Sequence, residues 1–348
     1  MRAAPGPRPE ETAMPRASSI PIIPASFFGM VLGLVGLGTA WRAAAQLWDA
    51  PAVVGESVML LGSVVWAVVL VLYAAKWFVA RGLAIDEARH PVQCCFIGLA
   101  GVATLLVALG ALPYARPLAF VLFGLGALFT LGFAVWRTGG LWQGDREAAA
   151  TTPVLYLPTV AGGFVTATAA SAFGLRDVAQ LAFGAALFSW LAIESVLLHR
   201  FYTAPRLSAA LRPTLGIQLA PPAVGGVAWL SLGGDPGGVV ALGLLGYALL
   251  QALVLLRLLP FIREHGVSAG YWAFSFGATA LATLSLRVAA SGTAPFVTGL
   301  APLVFVAANA LVVGLAVGTL RLLLAGKLVA PAAPLPQPAP AATLGPAH

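Results

Sequence analysis

Residues 55–79 read GESVMLLGSVVWAVVLVLYAAKWFV, and only Glu56 and Lys76 in these 25 positions are charged. A helix rises about 1.5 Å per residue, so about 20 apolar residues cross a hydrocarbon core roughly 30 Å thick. This run is long enough to do so. A short charged stretch follows at 81–90 (RGLAIDEARH), and then a second apolar run at 91–111. Reading outward from this pair gives ten such runs: 24–47, 55–79, 91–111, 115–136, 153–173, 178–199, 213–232, 237–259, 270–288 and 296–324. Across all 348 residues only 9% are charged and 60% are hydrophobic. Soluble domains carry roughly 25% charged residues, so a water-soluble monomer is excluded. The loops between the runs are too short to hold a soluble catalytic or nucleotide-binding domain. The fold class is therefore an all-α integral membrane protein with ten transmembrane helices.

Residues 1–19 hold Arg2, Arg8, Arg16, Glu10 and Glu11 among prolines and read as a disordered tail. The apolar run beginning at Ile20 far exceeds the 7–15 residues of a signal-peptide core and reads as a retained span. Residues 326–348 are Ala/Pro-rich and read as a second disordered tail, which leaves 20–325 as the transmembrane domain. Cys94 and Cys95 are adjacent, a poor geometry for a disulfide. They read as small buried hydrophobes or, alternatively, as a site for a thiophilic oxyanion. The four histidines are isolated, without zinc-site spacing. No catalytic constellation, metal site or cofactor site is expected, and the net charge of +7 does not point to nucleic acid.

Basic residues orient a membrane protein, because Lys and Arg accumulate on the cytoplasmic side. With ten spans, Arg42, Arg116, Arg176 and Arg287 fall on one side, and the other fifteen of the 19 Lys and Arg fall on the side of both termini. Both termini are thus expected in the cytoplasm, with the chain in the inner membrane. Long charged loops follow the even spans and short, nearly uncharged ones follow the odd spans, so the chain is a repeat of five hairpins.

Proline marks the start of most odd spans. Pro91, Pro153 and Pro213 fit helix starts as well as kinks. Pro158, Pro221 and Pro222 lie inside their spans, where proline frees a backbone carbonyl toward a cavity or a neighbouring helix. The odd spans are therefore expected to face a central passage and the even spans to face lipid or protein neighbours. Hydroxyls on the odd spans (Ser26, Thr104, Thr159, Thr166, Thr168, Ser275, Thr279, Thr283) offer weak anion ligands, and no acid lies inside an odd span. Arg42, Arg176 and Arg287 at the outer ends form a basic vestibule or snorkel to headgroups. Glu194 is the one acid well inside a span. It either pairs with a nearby base or serves as a proton site. Gly29-x-x-x-Gly33 and Gly314-x-x-x-Gly318 fit close helix packing. The ninth span, Tyr271-Trp272-Ala273-Phe274-Ser275-Phe276-Gly277, places a phenylalanine between small residues, which suits either a plug or ordinary packing.

The first span, Pro24-Ala25-Ser26-Phe27-Phe28-Gly29-Met30-Val31-Leu32-Gly33-Leu34 followed by Ala40-Trp41-Arg42, resembles that of the tellurite-resistance and C4-dicarboxylate transporter family, which includes the plant guard-cell slow anion channel. Leu157-Pro158-Thr159, Gln218-Leu219-Ala220-Pro221-Pro222-Ala223 and the ninth-span motif match the same family in order. The start of the third span matches only in His90-Pro91-Val92 and departs at Gln93-Cys94-Cys95. The resemblance implies five quasi-symmetric hairpins around a pore, a homotrimer, and a gating phenylalanine that corresponds to Phe276, with Phe274 as the alternative. It further implies that Pro24, Gly29, Pro158, Pro221, Pro222, Ser275 and Gly277 line or kink the pore. The expected function is a channel or transporter for small anions (dicarboxylate, halide, nitrate, sulfite or tellurite) down their gradient, with the bilayer and the anion as its partners. The alternatives are a proton-coupled C4-dicarboxylate carrier, with Glu194 as its discriminating residue, and a resistance efflux protein.

Overall fold

The computed structural model describes residues 21–144, 147–264, 266 and 268–329. The two expected tails fall almost wholly outside these residues. The α-helices are α1 (Phe28–Trp48), α2 (Ala52–Val79), α3 (Arg81–Arg89), α4 (Leu99–Ala111), α5 (Arg116–Trp142), α6 (Gly162–Ala172), α7 (Arg176–Thr203), α8 (Ala220–Ser231), α9 (Val239–Arg263), α10 (Ser275–Ala290) and α11 (Pro295–Leu324). Among the described residues, nine segments are long and apolar enough to cross a bilayer. A tenth, residues 209–231, occupies the place of the seventh span and is less apolar, because Arg212, Gln218 and three prolines interrupt it.

The odd spans share a feature that their prolines only hinted at. Each enters through a non-α turn before it becomes α-helical. The 3-10 turns are Ala25–Phe27, Gln93–Gly98, Pro153–Leu155, Ala209–Leu219 and Ala269–Phe274. The fifth span adds a π-helical turn, Leu157–Ala161, which contains Pro158. A π turn accommodates the missing proline N–H without a sharp break. Pro221 and Pro222 sit in the first turn of α8, a position that the fixed φ of proline suits. They begin an α-helix, but in mid-span, after eleven residues of 3-10 helix.

Packing divides the helices into two sets. The hairpin pairs are α1 with α2, α4 with α5, α6 with α7, α8 with α9, and α10 with α11. Within them, α1, α4, α6, α8 and α10 contact one another in sequence, and α10 returns to α1. The first members therefore close a ring, and the second members stand outside it. Glycines permit the tightest approach. A Cβ at Gly33 would collide with Ser275 and Trp272, and one at Gly36 with Thr279, so α1 and α10 meet almost backbone to backbone.

The structure departs from the expected boundaries in two ways. The stretch 81–90, expected as a loop, folds into α3. The cause is Glu87, which is buried. It accepts the Ala25 N–H at 2.8 Å and the Lys76 Nζ at 2.8 Å. Lys76 also donates to the Ile23 carbonyl. A turn of helix after α2 thus returns a carboxylate to the unsatisfied donors at the start of the first span. The helices of the fourth, sixth and eighth spans, α5, α7 and α9, also run past their expected ends, to Trp142, Thr203 and Arg263, through Gly139-Gly140 in α5 and Pro260 in α9.

Candidate functional site

Two cavities lie on the axis of the ring. The entry-side cavity, about 130 Å³, is walled by the non-α entry turns, with Ser26, Gly29, Gln93, Tyr156, Thr214 and Pro221 among its lining residues. The far-side cavity, about 430 Å³, is walled by the last turns of the same spans, including Thr39, Arg42, Thr168, Ser231, Thr283 and Arg287. Phe276 and Val224 line both cavities. Both residues therefore stand at the boundary between the two cavities.

The local sequence explains why this side chain faces the axis. Ser275 is fully buried; its Oγ donates to the Trp272 carbonyl at 2.7 Å and fills the space left by Gly33. Gly277 lies flush against α8, where a Cβ would stand 2.9 Å from the Ala220 nitrogen. The residues flanking Phe276 are thus used to seat α10 on its two neighbours. Phe274 has a different fate. It packs onto Gly216 and stacks on Tyr271 at 6.3 Å between ring centroids, and it lines neither cavity.

Of the residues expected along the passage, Gly29, Pro221 and Phe276 are on a cavity wall. Pro24, Pro158, Pro222, Ser275 and Gly277 are not: they set entry turns or helix contacts. Cys94 and Cys95 are fully buried and also absent from the walls. The expected hydroxyls are less available than their positions suggested. Thr104, Thr168, Thr279 and Thr283 each donate to a carbonyl one turn back on their own helix, and on the far side so do Thr39 and Ser231. Their hydrogens are therefore occupied, and recruiting one toward an anion costs a bond of about 1 kcal/mol. In the entry-side cavity Ser26 and Gln93 make no side-chain hydrogen bond with the described residues. Gln93 lies in the part of the sequence that departs from the resemblance.

The arginines separate into three cases. Arg42 forms a two-pronged pair with Glu56, both contacts at 2.7 Å, and donates to the Gly110 carbonyl at 3.1 Å. Its charge is compensated. Arg287 lines the same cavity, and its one hydrogen bond with the described residues goes to the Ser231 hydroxyl at 3.1 Å. It is the uncompensated cation of the far-side cavity among the described residues. Arg176, expected beside them, begins α7 on the exposed surface and lines no cavity. It stands on the outer set of helices, which the linear count of charges could not reveal.

Glu194 is likewise not paired as expected. The ion pairs of the described residues are Arg42–Glu56, Lys76–Glu87 and Arg212–Glu264. Glu194 instead accepts four hydrogen bonds, from Tyr156 Oη at 2.5 Å, Tyr247 Oη at 2.6 Å, Trp190 Nε1 at 2.8 Å and Gln218 Nε2 at 2.9 Å. Two donors reach each carboxylate oxygen, which is the full accepting capacity of an ionised carboxylate. Tyr156, Tyr247 and Gln218 come from three different spans. Their convergence had no signal in the sequence, apart from the cost of burying an acid.

A closed ring of apolar helices, with a second shell around it and two axial cavities that share part of their lining, defines a multi-pass helical membrane channel or transporter. The sequence pattern of the voltage-dependent anion channel family matches residues 23–320, and the chain belongs to that family. It is 37% identical over 263 residues to a protein named tellurite resistance protein TehA homolog from Haemophilus influenzae, covering 75% of this chain and 79% of that one. It is 23% identical to the S-type anion channels SLAH3 and SLAH2 of Arabidopsis thaliana, over 80% of this chain in each case. The aligned region spans 46% and 55% of those two plant chains, about half their length.

Proposed function

We propose that this protein conducts small anions down their gradient through the ring of α1, α4, α6, α8 and α10, and that Phe276 is the gate. The observation that carries this reading is that Phe276, the one aromatic residue in both linings, stands at the boundary of the two axial cavities beside Val224. Swinging its side chain aside is the step that would open a path between them. An anion arriving at the far side would meet Arg287 as its compensating charge, and Arg42 would act mainly to hold α1, α2 and the end of α4 together. The entry side presents no base in its lining and only neutral donors. This suits a small monovalent anion better than a dicarboxylate, whose second charge would need a partner there. The driving force is the electrochemical gradient, about 2.3 kcal/mol per charge for each 100 mV. Fifteen of the 19 bases on one side support an inner-membrane orientation with both termini in the cytoplasm. The family resemblance supports a homotrimer.

The test is anion-selective flux in liposomes holding wild type or Phe276→Ala. The open passage should raise flux, and a variant no more conductive than wild type would remove Phe276 as the gate. The proton-coupled reading is the less favoured, because four donors already occupy Glu194 and no base adjoins it. It makes an opposite prediction: Glu194→Gln should abolish a pH dependence that wild type shows. Superimposable pH profiles would reject coupling. The name of the bacterial relative makes tellurite oxyanions one candidate cargo for the same assay.

A further inference from the structure

A third cavity, about 450 Å³, lies away from the axis, on the outer surface between the end of α9, the entry turn of the ninth span, and the second half of α11. Its floor on α11 includes Leu311, Gly314 and Gly318. A Cβ at Gly314 would meet nothing within 4 Å. Gly314 therefore does not receive another helix of this chain, as Gly33 receives α10. It leaves a trough. Behind it, Trp272 Nε1 donates to Thr319 Oγ1 at 2.8 Å, which ties α11 to the ninth span and fixes the back wall. At the mouth stand Arg263, which is exposed and in no ion pair among the described residues, and the Ser268 hydroxyl, which makes no side-chain hydrogen bond with them.

We propose that this trough holds one anionic phospholipid, with its phosphate at Arg263 and Ser268 and an acyl chain along Gly318 and Gly314. Length is the deciding argument. The trough runs on α11 from Leu322 to Ala310, about 18 Å at 1.5 Å per residue, close to the half-thickness of a hydrocarbon core of about 30 Å. It ends near the middle of α11, where an acyl chain ends and a packing helix would continue. Charge agrees with shape. Basic pockets between membrane helices recruit anionic headgroups, and Arg263 is an uncompensated base at the polar end of an apolar groove.

The experiment uses the purified full chain in detergent, read by native mass spectrometry and thermal unfolding after addition of phosphatidylglycerol, phosphatidylcholine or inorganic phosphate. The expected result is retained phosphatidylglycerol and a raised Tm. Phosphatidylcholine should be retained several-fold less, and inorganic phosphate should cause no shift. Gly314→Leu, which fills open space, and Arg263→Gln should each cut phosphatidylglycerol retention several-fold while leaving the lipid-free Tm unchanged. Equal retention of both lipids, retention insensitive to both substitutions, or an equal shift from inorganic phosphate would overturn the proposal. So would a Gly314→Leu chain that loses its oligomeric state but keeps its lipid, since the trough would then be an interface between copies.

Discussion

The odd and even spans are both apolar, yet their surroundings are opposite. In the segments Ala25–Trp48, Gln93–Ala111, Pro153–Ala172 and Ala269–Ala290, between 72% and 83% of the most apolar window is buried inside the protein. In the even spans the share is 22% to 28%. Leu and Val dominate the outer helices because lipid accepts them without any demand on shape. The inner helices must fit one another, so they carry Gly, Ala, Pro and hydroxyls. Apolarity thus says that a helix is in the membrane, while side-chain size says which neighbour it meets. Most of the hydroxyls along the inner set, Thr39, Thr104, Thr168, Thr279 and Thr283 among them, bond to their own backbone, which leaves them little with which to hold a passing ion.

The sharpest way to break the comparison is to cut the link between the two sets. Glu194 on outer helix α7 holds Tyr156 and Gln218 of the inner ring. Glu194→Ala would leave four buried donors without an acceptor, and a loss of about 3–5 kcal/mol is expected in reversible detergent unfolding. A change below about 1 kcal/mol would mean that the outer helices are not anchored there. The next test sets glycine against glycine. Gly33→Leu, which collides with Ser275 and Trp272, should cost about 1–3 kcal/mol, whereas Gly246→Leu on α9, where a Cβ meets nothing within 4 Å, should leave Tm unchanged. Equal effects would erase the distinction between packed and lipid-facing surfaces.

Function should divide along the same line. Phe276→Ala is expected to raise anion flux by about tenfold, equivalent to about 1.4 kcal/mol of barrier, while Phe274→Ala, removed from a helix contact with Gly216, should not. If Phe274→Ala is the conductive variant, the two roles are exchanged. The smallest effect concerns charge. Arg287→Gln should lower conductance about twofold at low salt and less at high salt, because screening shortens the reach of the charge to about 10 Å at 0.1 M. Arg176→Gln, on the exposed surface, should change neither. A salt-independent Arg287 variant would remove the vestibule.

Much of this architecture was legible in the residues. Ten apolar runs, charged loops after every even run and prolines at the odd starts were enough for five hairpins with the odd members inside. The motif around Phe276 was legible through resemblance, while its neighbours Ser275 and Gly277, expected to line or kink the pore, line neither axial cavity. Ser275 and Gly277 are adjacent to Phe276 in sequence, yet helical geometry turns neighbours about 100° apart, so residues beside an axial side chain face the walls. Glu87 was hidden for another reason. Its partners, Ala25 and Lys76, are 62 and 11 positions away, and no local pattern marks such a contact.

The sequence by itself determined the solvent of this protein, the number of its crossings and which of them turn inward. Those properties follow from composition and period, which act residue by residue. The tertiary structure alone decided that Phe274 packs on Gly216 and lines neither axial cavity, that Arg42 is compensated by Glu56 and Arg287 is not, and that Glu194 is held by four neutral donors instead of a base. Each of these is a matter of which side chains from distant spans arrive at one point, and that is fixed only when the ring closes.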